Sequence, residues 1–194
     1  MDLRVSVIGI SGSGKTTFAE RLAAALDAPQ HELDLINWGP NWYNRYAEEF
    51  DAFKADVKTA ADQDRWVFSG GYSGVRPMIW SRATHVVWLD LPFWTVFRQV
   101  LGRSWSRAFD KEPILNGNTE TFARWLNKGH PIQLVVRHFS RKRRQFLAMT
   151  EDKTYAHLSV FRCRSHADAD AALETLKALA QDQDVQLRLP LSTG

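Results

Sequence analysis

Short apolar runs separated by longer stretches with a three-to-four-residue rhythm set the reading frame of this chain. Leu3 to Ile8 is mostly apolar and β-branched, which predicts a buried strand. A glycine-rich turn, Gly9 to Gly14, follows it. Phe18, Leu22 and Leu26 then recur at i, i+4 and i+8, which predicts a helix over about 15–26, closed before Pro29. His31 to Leu35 predicts a second strand. Trp38 to Tyr46 is aromatic and loop-like. Phe50, Phe53 and Val57 restore helical spacing as far as Ala61.

Arg65 to Ser69 predicts a third strand, stopped by Gly70-Gly71. Thr84 to Leu89 predicts a fourth, stopped by Asp90 and Pro92. Trp94 to Phe109 and Pro131 to Met149 read as helices around a turn-rich insert, Lys111 to Asn118. Tyr155 to Cys163 predicts a fifth strand and Asp168 to Ala180 a closing helix, with Gln181 to Gly194 as a loose tail. Strands alternating with helices imply an α/β domain whose parallel sheet carries helices on both faces. No internal repeat or low-complexity tract interrupts this order.

Composition narrows the setting. With 194 residues and 44% hydrophobic positions, the chain suits one domain with a real core. The single cysteine, Cys163, permits no internal disulfide and fits a reducing cytoplasm. The apolar run Val5 to Ile10 is too short for a signal peptide or a membrane span, so no membrane partner is expected. Charge is unevenly spread. Residues 93–150 hold 11 Lys/Arg against 3 Asp/Glu, while the rest holds 14 against 19, so the basic segment is where an anion should bind.

The chemistry starts at the first turn. Gly9-Ile10-Ser11-Gly12-Ser13-Gly14-Lys15-Thr16 satisfies G-x-x-x-x-G-K-[ST] at every fixed position, between a predicted strand and a predicted helix. Glycines let successive N–H groups point inward at phosphate oxygens, and the helix that begins here adds its positive end. Gly9, Ser11, Gly12, Ser13, Gly14, Lys15, Thr16 and Thr17 are therefore expected to hold ATP or a close relative. Lys15 would bridge the β- and γ-phosphates, and Thr16 would offer its hydroxyl to Mg²⁺.

Further pieces narrow the comparison: Leu33-Asp34 with Trp38, Trp66 to Tyr72, Val87 to Pro92, and Leu115-Asn116-Gly117-Asn118. Through these, the chain resembles the adenylate-kinase-like P-loop proteins often labelled "DNA topology modulation protein", relatives of nucleoside-monophosphate and shikimate kinases. The resemblance spans about Val5 to Leu176. It implies a five-stranded parallel sheet of order 2-3-1-4-5 and a single kinase-like domain over 1–182, with residues 183–194 as a tail. An acceptor-binding region would occupy about 35–64 and a LID about 103–130.

The resemblance also implies roles. Arg103 would stack on the adenine ring. Arg107, one turn later, would reach the γ-phosphate from the LID, and Arg137 and Arg141 would close the cage. Lys142, Arg143 and Arg144 read as a solvated face. Relatives commonly carry Asp-Gly-Asn-Tyr at the end of the third strand, where the acid helps hold Mg²⁺. Here the stretch is Ser69-Gly70-Gly71-Tyr72. Glu32-Leu33-Asp34 has the D-x-D-like spacing that shikimate-kinase-like enzymes place at the end of the second strand, so Glu32 or Asp34 is expected to orient the metal's waters. Asp90 reads as a helix cap, with a metal role as the alternative.

On the acceptor side, Asp34 suits an alcohol, whose proton a carboxylate can take, whereas Arg76 and Arg82 suit a phosphate. Tyr72 joins these as a substrate-binding residue. Trp38, Trp42 and Tyr43 either wall the acceptor or belong to the core. Three functions stay open: an ATP-dependent kinase of a small molecule or nucleotide, a nucleic-acid-associated NTPase using the basic Arg137 to Arg144 run, and a nucleotide-binding regulator with little turnover.

Overall fold

The computed structural model describes residues 3–110, 114–119, 121–122, 125 and 130–188, with backbone alone for 183–188. Five strands, β1 (Arg4–Gly9), β2 (Gln30–Glu32), β3 (Trp66–Ser69), β4 (His85–Leu89) and β5 (Ser159–Cys163), form one parallel sheet in the order β2-β3-β1-β4-β5. The helices are α1 (Lys15–Leu26), α2 (Leu33–Asn37), α3 (Arg45–Glu48), α4 (Phe50–Ala61), α5 (Arg76–Arg82), α6 (Phe93–Asp110), α7 (Pro131–Thr150) and α8 (His166–Arg188). This is the sheet order that the resemblance implied.

Alternation along the strands builds a core on each face. Val5 and Val7 of β1, Val67 of β3 and Val87 and Leu89 of β4 pack with Phe18, Leu22 and Leu26 of α1 and with Leu173 and Leu176 of α8. The intervening residues Ile8, Trp66, Phe68, Val86 and Trp88 pack on the opposite face with Phe53 and Val57 of α4 and Ile79 and Trp80 of α5. The buried indoles find acceptors, as buried polar groups must: Trp66 Nε1 donates to the Ala61 carbonyl at 3.1 Å and Trp80 Nε1 to Ser6 Oγ at 3.2 Å. A smaller cluster of Leu91, Val96, Val100 and Val135 joins α6 to α7 and takes in Ile10 of the glycine-rich turn.

Four boundaries differ from the sequence expectation. The second strand stops at Glu32, and Leu33 starts α2 instead of extending the strand to Leu35. Its only neighbour is β3, which ends at Ser69 opposite Glu32, so no ladder partner is left beyond that point. Leu33 then packs so tightly on Gly70 that a Cβ at Gly70 would lie 2.9 Å from its own. The fifth strand begins at Ser159, opposite His85 where β4 begins; Tyr155 instead closes a short 3₁₀ turn and packs edge-on against Trp80 at 4.9 Å.

The closing helix α8 starts at His166. Ser165 Oγ accepts the Asp168 N–H at 3.1 Å, and Asp168 Oδ2 accepts the Ser165 N–H at 3.1 Å, a reciprocal cap. The helix continues to Arg188, past the Ala180 end that the sequence pattern predicts; 189–194 lie outside the described residues. The aromatic stretch after α2 is not all loop: it holds a 3₁₀ turn, Pro40–Trp42, and α3. Of the LID expected over 103–130, positions 111–113, 120, 123–124 and 126–129 lie outside the described residues. Among the described residues, no helix is long and apolar enough to cross a membrane.

Candidate active site

The glycine-rich turn joins the C-terminal end of β1 to the N-terminus of α1, at the carboxyl edge of the sheet where ligands of open α/β folds bind. Gly12 and Gly14 sit at φ +82° and +88°, in the left-handed region. At Gly12 sterics add to this: a Cβ would come within 1.9 Å of Val100 Cγ2 on α6. Within the turn, the Ser13 N–H returns to the Ile10 carbonyl at 3.1 Å. The first bond into α1 runs from the Phe18 N–H to the Gly14 carbonyl at 2.9 Å, so the amides of Lys15, Thr16 and Thr17 have no acceptor within the helix. The buried Ser13 hydroxyl also lacks a protein partner. A concave, donor-rich turn of this kind fits a phosphate chain. Ser11 is half-buried at its rim, and the Thr17 side chain faces outward.

Lys15 closes over the turn, its Nζ donating to the Ile10 carbonyl at 3.0 Å. The residue keeps some exposure, but its ammonium end is enclosed by protein. Burial pulls its pKa from 10.5 down to about 8. Of the neighbouring charges, Asp34 acts most strongly and upward, Arg103 acts downward, and Glu32 acts upward. Three residues singled out from the sequence therefore converge on the Lys15 ammonium group.

The structure pairs the two expected metal residues. Thr16 Oγ1 donates to Glu32 Oε1 at 2.8 Å. Burial raises the Glu32 pKa; the Thr16 hydroxyl opposes this, and the like charge of Asp34 adds to it. A hydroxyl beside two carboxylates is an all-oxygen donor set, which suits Mg²⁺. Ser69 is buried, and its hydroxyl has no protein partner. It lies opposite Glu32 in the ladder, so the nearest carboxylate comes from the adjacent strand.

Asp34 projects from α2 into a hydrogen-bonded chain. The Tyr72 hydroxyl donates to Asp34 Oδ1 at 2.6 Å and accepts from Asn37 Nδ2 at 3.1 Å. Asn37 Oδ1 in turn accepts the Tyr46 N–H at 2.6 Å. Burial, followed by the Asp34 charge, pushes the Tyr72 phenol well above its usual pKa, so it stays a donor. Beside this chain lies a narrow cleft lined by Leu33, Gly70, Gly71, Tyr72, Arg76 and Trp80, among others. Arg76 Nε is buried there without a hydrogen-bond acceptor, and burial lowers the pKa of its guanidinium.

Other expected residues are distributed differently. Arg103 and Arg107 are half-buried one turn apart on α6, and Arg103 lies near enough to Lys15 to lower its pKa. Arg137 and Arg141 are exposed on α7 and make no hydrogen bond or ion pair with the turn. Trp38 and Trp42 pack edge-on at 5.7 Å and do not line the pocket. Tyr43 is exposed and donates to Glu49 at 3.0 Å. Arg82 belongs to the frame: its Nε donates to the Ala61 carbonyl at 2.7 Å and its Nη2 to that of Asp62 at 3.1 Å, closing the end of α4.

Two expectations are corrected. Asp90 does not cap a helix. Its buried carboxylate receives Arg143 Nε at 2.7 Å and Nη2 at 3.0 Å in a fork, and Arg162 Nε at 2.9 Å. Arg162 also stacks over Trp88 at 4.4 Å. Arg143 is consequently tied to Asp90 through its guanidinium, while its side chain stays 46% exposed on the solvated face. A carboxylate so engaged is poorly suited to a metal. A buried acid at the end of an apolar strand, with a long basic helix downstream, was the available signal for this pair, but the sequence does not say which arginine of the helix turns inward.

The fold is shared with solved kinases. A gluconokinase from Sinorhizobium meliloti 1021 superposes with a TM-score of 0.50 at 17% identity, covering 95% of this chain and 97% of that one. A shikimate kinase from Bacteroides thetaiotaomicron gives 0.51 at 15% identity, covering 92% and 98%. No family model matches the sequence, and no curated protein does. Together with the sheet order and the phosphate-binding turn, these superpositions show that the chain has the fold of the P-loop kinases.

Proposed function

We propose that this protein is an ATP-dependent phosphotransferase acting on a small, hydroxyl-bearing, anionic molecule held at the ends of β2 and β3. The observation that carries this reading is the convergence on Lys15. Its ammonium feels Asp34 and Glu32 together, so a phosphate in the turn and a hydroxyl beside Asp34 would be neighbours.

The turn's amides and Lys15 would hold the triphosphate, with Arg103 and Arg107 supplying further positive charge from α6. Thr16 and Glu32 would hold Mg²⁺, whose contribution when bound is to neutralise charge on the phosphates. Asp34, oriented by the Tyr72 hydroxyl, would accept the acceptor's proton as its oxygen bonds to the γ-phosphorus and the bond to the ADP oxygen breaks. Buried Arg76, with an Nε that lacks an acceptor, suits a carboxylate or phosphate on the acceptor. The two solved structures named above are a gluconokinase and a shikimate kinase, in line with this reading. A regulator with little turnover is less well supported, because Glu32 supplies a carboxylate that Ser69 does not.

The test is a coupled ADP assay over sugar acids, other hydroxy acids, polyols, nucleosides and nucleoside monophosphates. We expect stimulation by a hydroxy acid or a phosphorylated alcohol. Asp34→Asn should cut it by a factor on the order of 10²–10⁴, with ATP affinity retained. Lys15→Ala should remove nucleotide binding or turnover with the fold intact. Stimulation confined to uncharged alcohols would remove the role given to Arg76. Undiminished turnover in Asp34→Asn would remove the general base.

A further inference from the structure

The Leu115-Asn116-Gly117-Asn118 turn has no part in the chemistry above, yet its side chains reach about 80 positions back along the sequence. The turn is closed by an antiparallel bridge in which the Ile114 N–H donates to the Asn118 carbonyl at 2.6 Å. Leu115, Asn116 and Gly117 all have positive φ, at 39°, 62° and 83°. Two of these residues are not glycine, and such a backbone persists only where its surroundings hold it.

The holding contacts all lie on the acceptor side. Asn116 Nδ2 donates to the Leu35 carbonyl at 3.0 Å and the Trp38 carbonyl at 2.7 Å. These sit at the C-terminal end of α2, where helix carbonyls have no partner of their own. Buried Asn118 uses its whole amide: Oδ1 accepts the Trp42 N–H at 2.6 Å, and Nδ2 donates to the carbonyls of Gly39 at 2.9 Å and Leu115 at 2.6 Å. The segment it enters is itself closed by a Trp38–Asn44 bridge and a Gly39 N–H to Tyr43 carbonyl bond at 2.9 Å. It leads to Tyr46, whose N–H holds Asn37, which holds Tyr72, which holds Asp34. On the other side, the turn follows the C-terminal end of α6, whose Val100 is seated on Gly12 of the phosphate turn.

We propose that Asn116 and Asn118 are positioning residues. They clasp the end of α2 and the 39–42 backbone to the segment after α6, so that nucleotide binding against α6 tightens the helix that presents Asp34. The coupling half of this rests on the function proposed above; the clasp itself does not.

The experiment is residue-resolved amide hydrogen exchange on the full chain, with and without a non-hydrolysable ATP analogue and Mg²⁺, for the wild type, Asn118→Ala, Asn118→Asp and Asn116→Ala. In the ligand-free wild type, the Trp42 amide should be protected. Asn118→Ala should speed its exchange about tenfold, as loss of one hydrogen bond predicts, with β1 and β4 amides unchanged. Asn118→Asp keeps an acceptor for Trp42, so it should retain that protection. Adding the analogue should slow exchange over residues 35–43 in the wild type. Asn118→Ala and Asn116→Ala should lose this response while still binding the analogue.

Unchanged Trp42 exchange in Asn118→Ala overturns the clasp. A response over 35–43 that survives in both alanine variants overturns the coupling. Should Asn118→Ala fail to fold, Asn116→Ala, which removes only the contacts to α2, decides the matter: exchange of the Trp38 amide at the end of α2 should speed up in the ligand-free protein, and the analogue's effect over 35–43 should be lost; unchanged Trp38 exchange overturns the clasp. Should the wild type bind no analogue, the proposed function fails, and the clasp still stands or falls on the ligand-free comparison.

Discussion

Replacing solvent with phosphate around Lys15 should leave a measurable proton signature. In the free protein, burial holds the ammonium at a pKa of about 8, against 10.5 when unfolded. The folded state therefore binds fewer protons than the unfolded state between these values, and stability rises with pH across that window. This lysine's favourable share is complete above pH 10.5 and lost as pH falls through 8. At pH 7 the free protein carries the full cost of a buried charge, up to roughly 3 kcal/mol at 1.36 kcal/mol per tenfold. A triphosphate seated in the turn supplies the missing counter-charge and should restore the ordinary pKa. Binding at pH 9 should then take up about 0.9 proton, and binding at pH 7 about 0.1, from the titration curve of a single group. Calorimetric titration with ATP in two buffers of different ionisation enthalpy measures this number directly. Affinity should also weaken as pH rises above about 8. Lys15→Met should abolish the buffer-dependent heat. Tight binding at pH 9 with identical heats in both buffers would refute the claim that Lys15 is the group opposite the phosphates.

Three further outcomes follow from particular contacts. Glu32→Gln keeps an acceptor for the Thr16 hydroxyl at its present 2.8 Å, so thermal stability should be close to that of the wild type; Mg²⁺-dependent turnover should fall about 10–100-fold, as when a metal's supporting carboxylate is lost, checked by a Mg²⁺ titration of ADP production. Gly12→Ala places a Cβ 1.9 Å from Val100 and strains a φ of +82°, so it should abolish ATP binding in a calorimetric titration and lower the melting temperature. Arg143→Ala leaves the buried Asp90 carboxylate with Arg162 alone; because Arg143 is partly exposed and Arg162 still pairs, urea unfolding should show a loss of about 1–2 kcal/mol, and Asp90→Asn in that background should recover part of it.

The centre of the sheet was legible because β1, β3 and β4 are mostly buried and each is followed by glycine or proline. Gly70-Gly71 after β3 and Pro92 after β4 mark ends that fall at Ser69 and Leu89. Periodicity also served α1 and α4, whose expected and observed ends coincide. What failed was the edge. A strand ends where its neighbour ends, so the stop of β2 at Glu32 depends on β3, and the start of β5 at Ser159 depends on β4. Neither limit is written in the local pattern. The Asp90–Arg143–Arg162 cluster was hidden for a related reason: a run of consecutive basic residues on a helix does not reveal which one turns inward.

The acids of the site show how a wrong local structure can still name the right residues. Read as a strand from His31 to Leu35, Glu32 and Asp34 stand two apart on one face and would compete for a single task. The chain instead leaves the sheet after Glu32 and turns into α2. That change of direction sends Glu32 to Thr16 and Asp34 to Tyr72. Two neighbouring carboxylates thus become one acid on the nucleotide side and one on the acceptor side, with the Lys15 ammonium within range of both. The same turn bears on Ser69, which carries no charge. Glu32 sits directly across the ladder from it, so that edge of the sheet still holds a carboxylate. Placing one at Ser69 as well would add a third carboxylate to a region where Asp34 already raises the Glu32 pKa. On this reasoning Ser69→Asp alone should weaken Mg²⁺ dependence through like-charge crowding, whereas Ser69→Asp combined with Glu32→Gln should restore it.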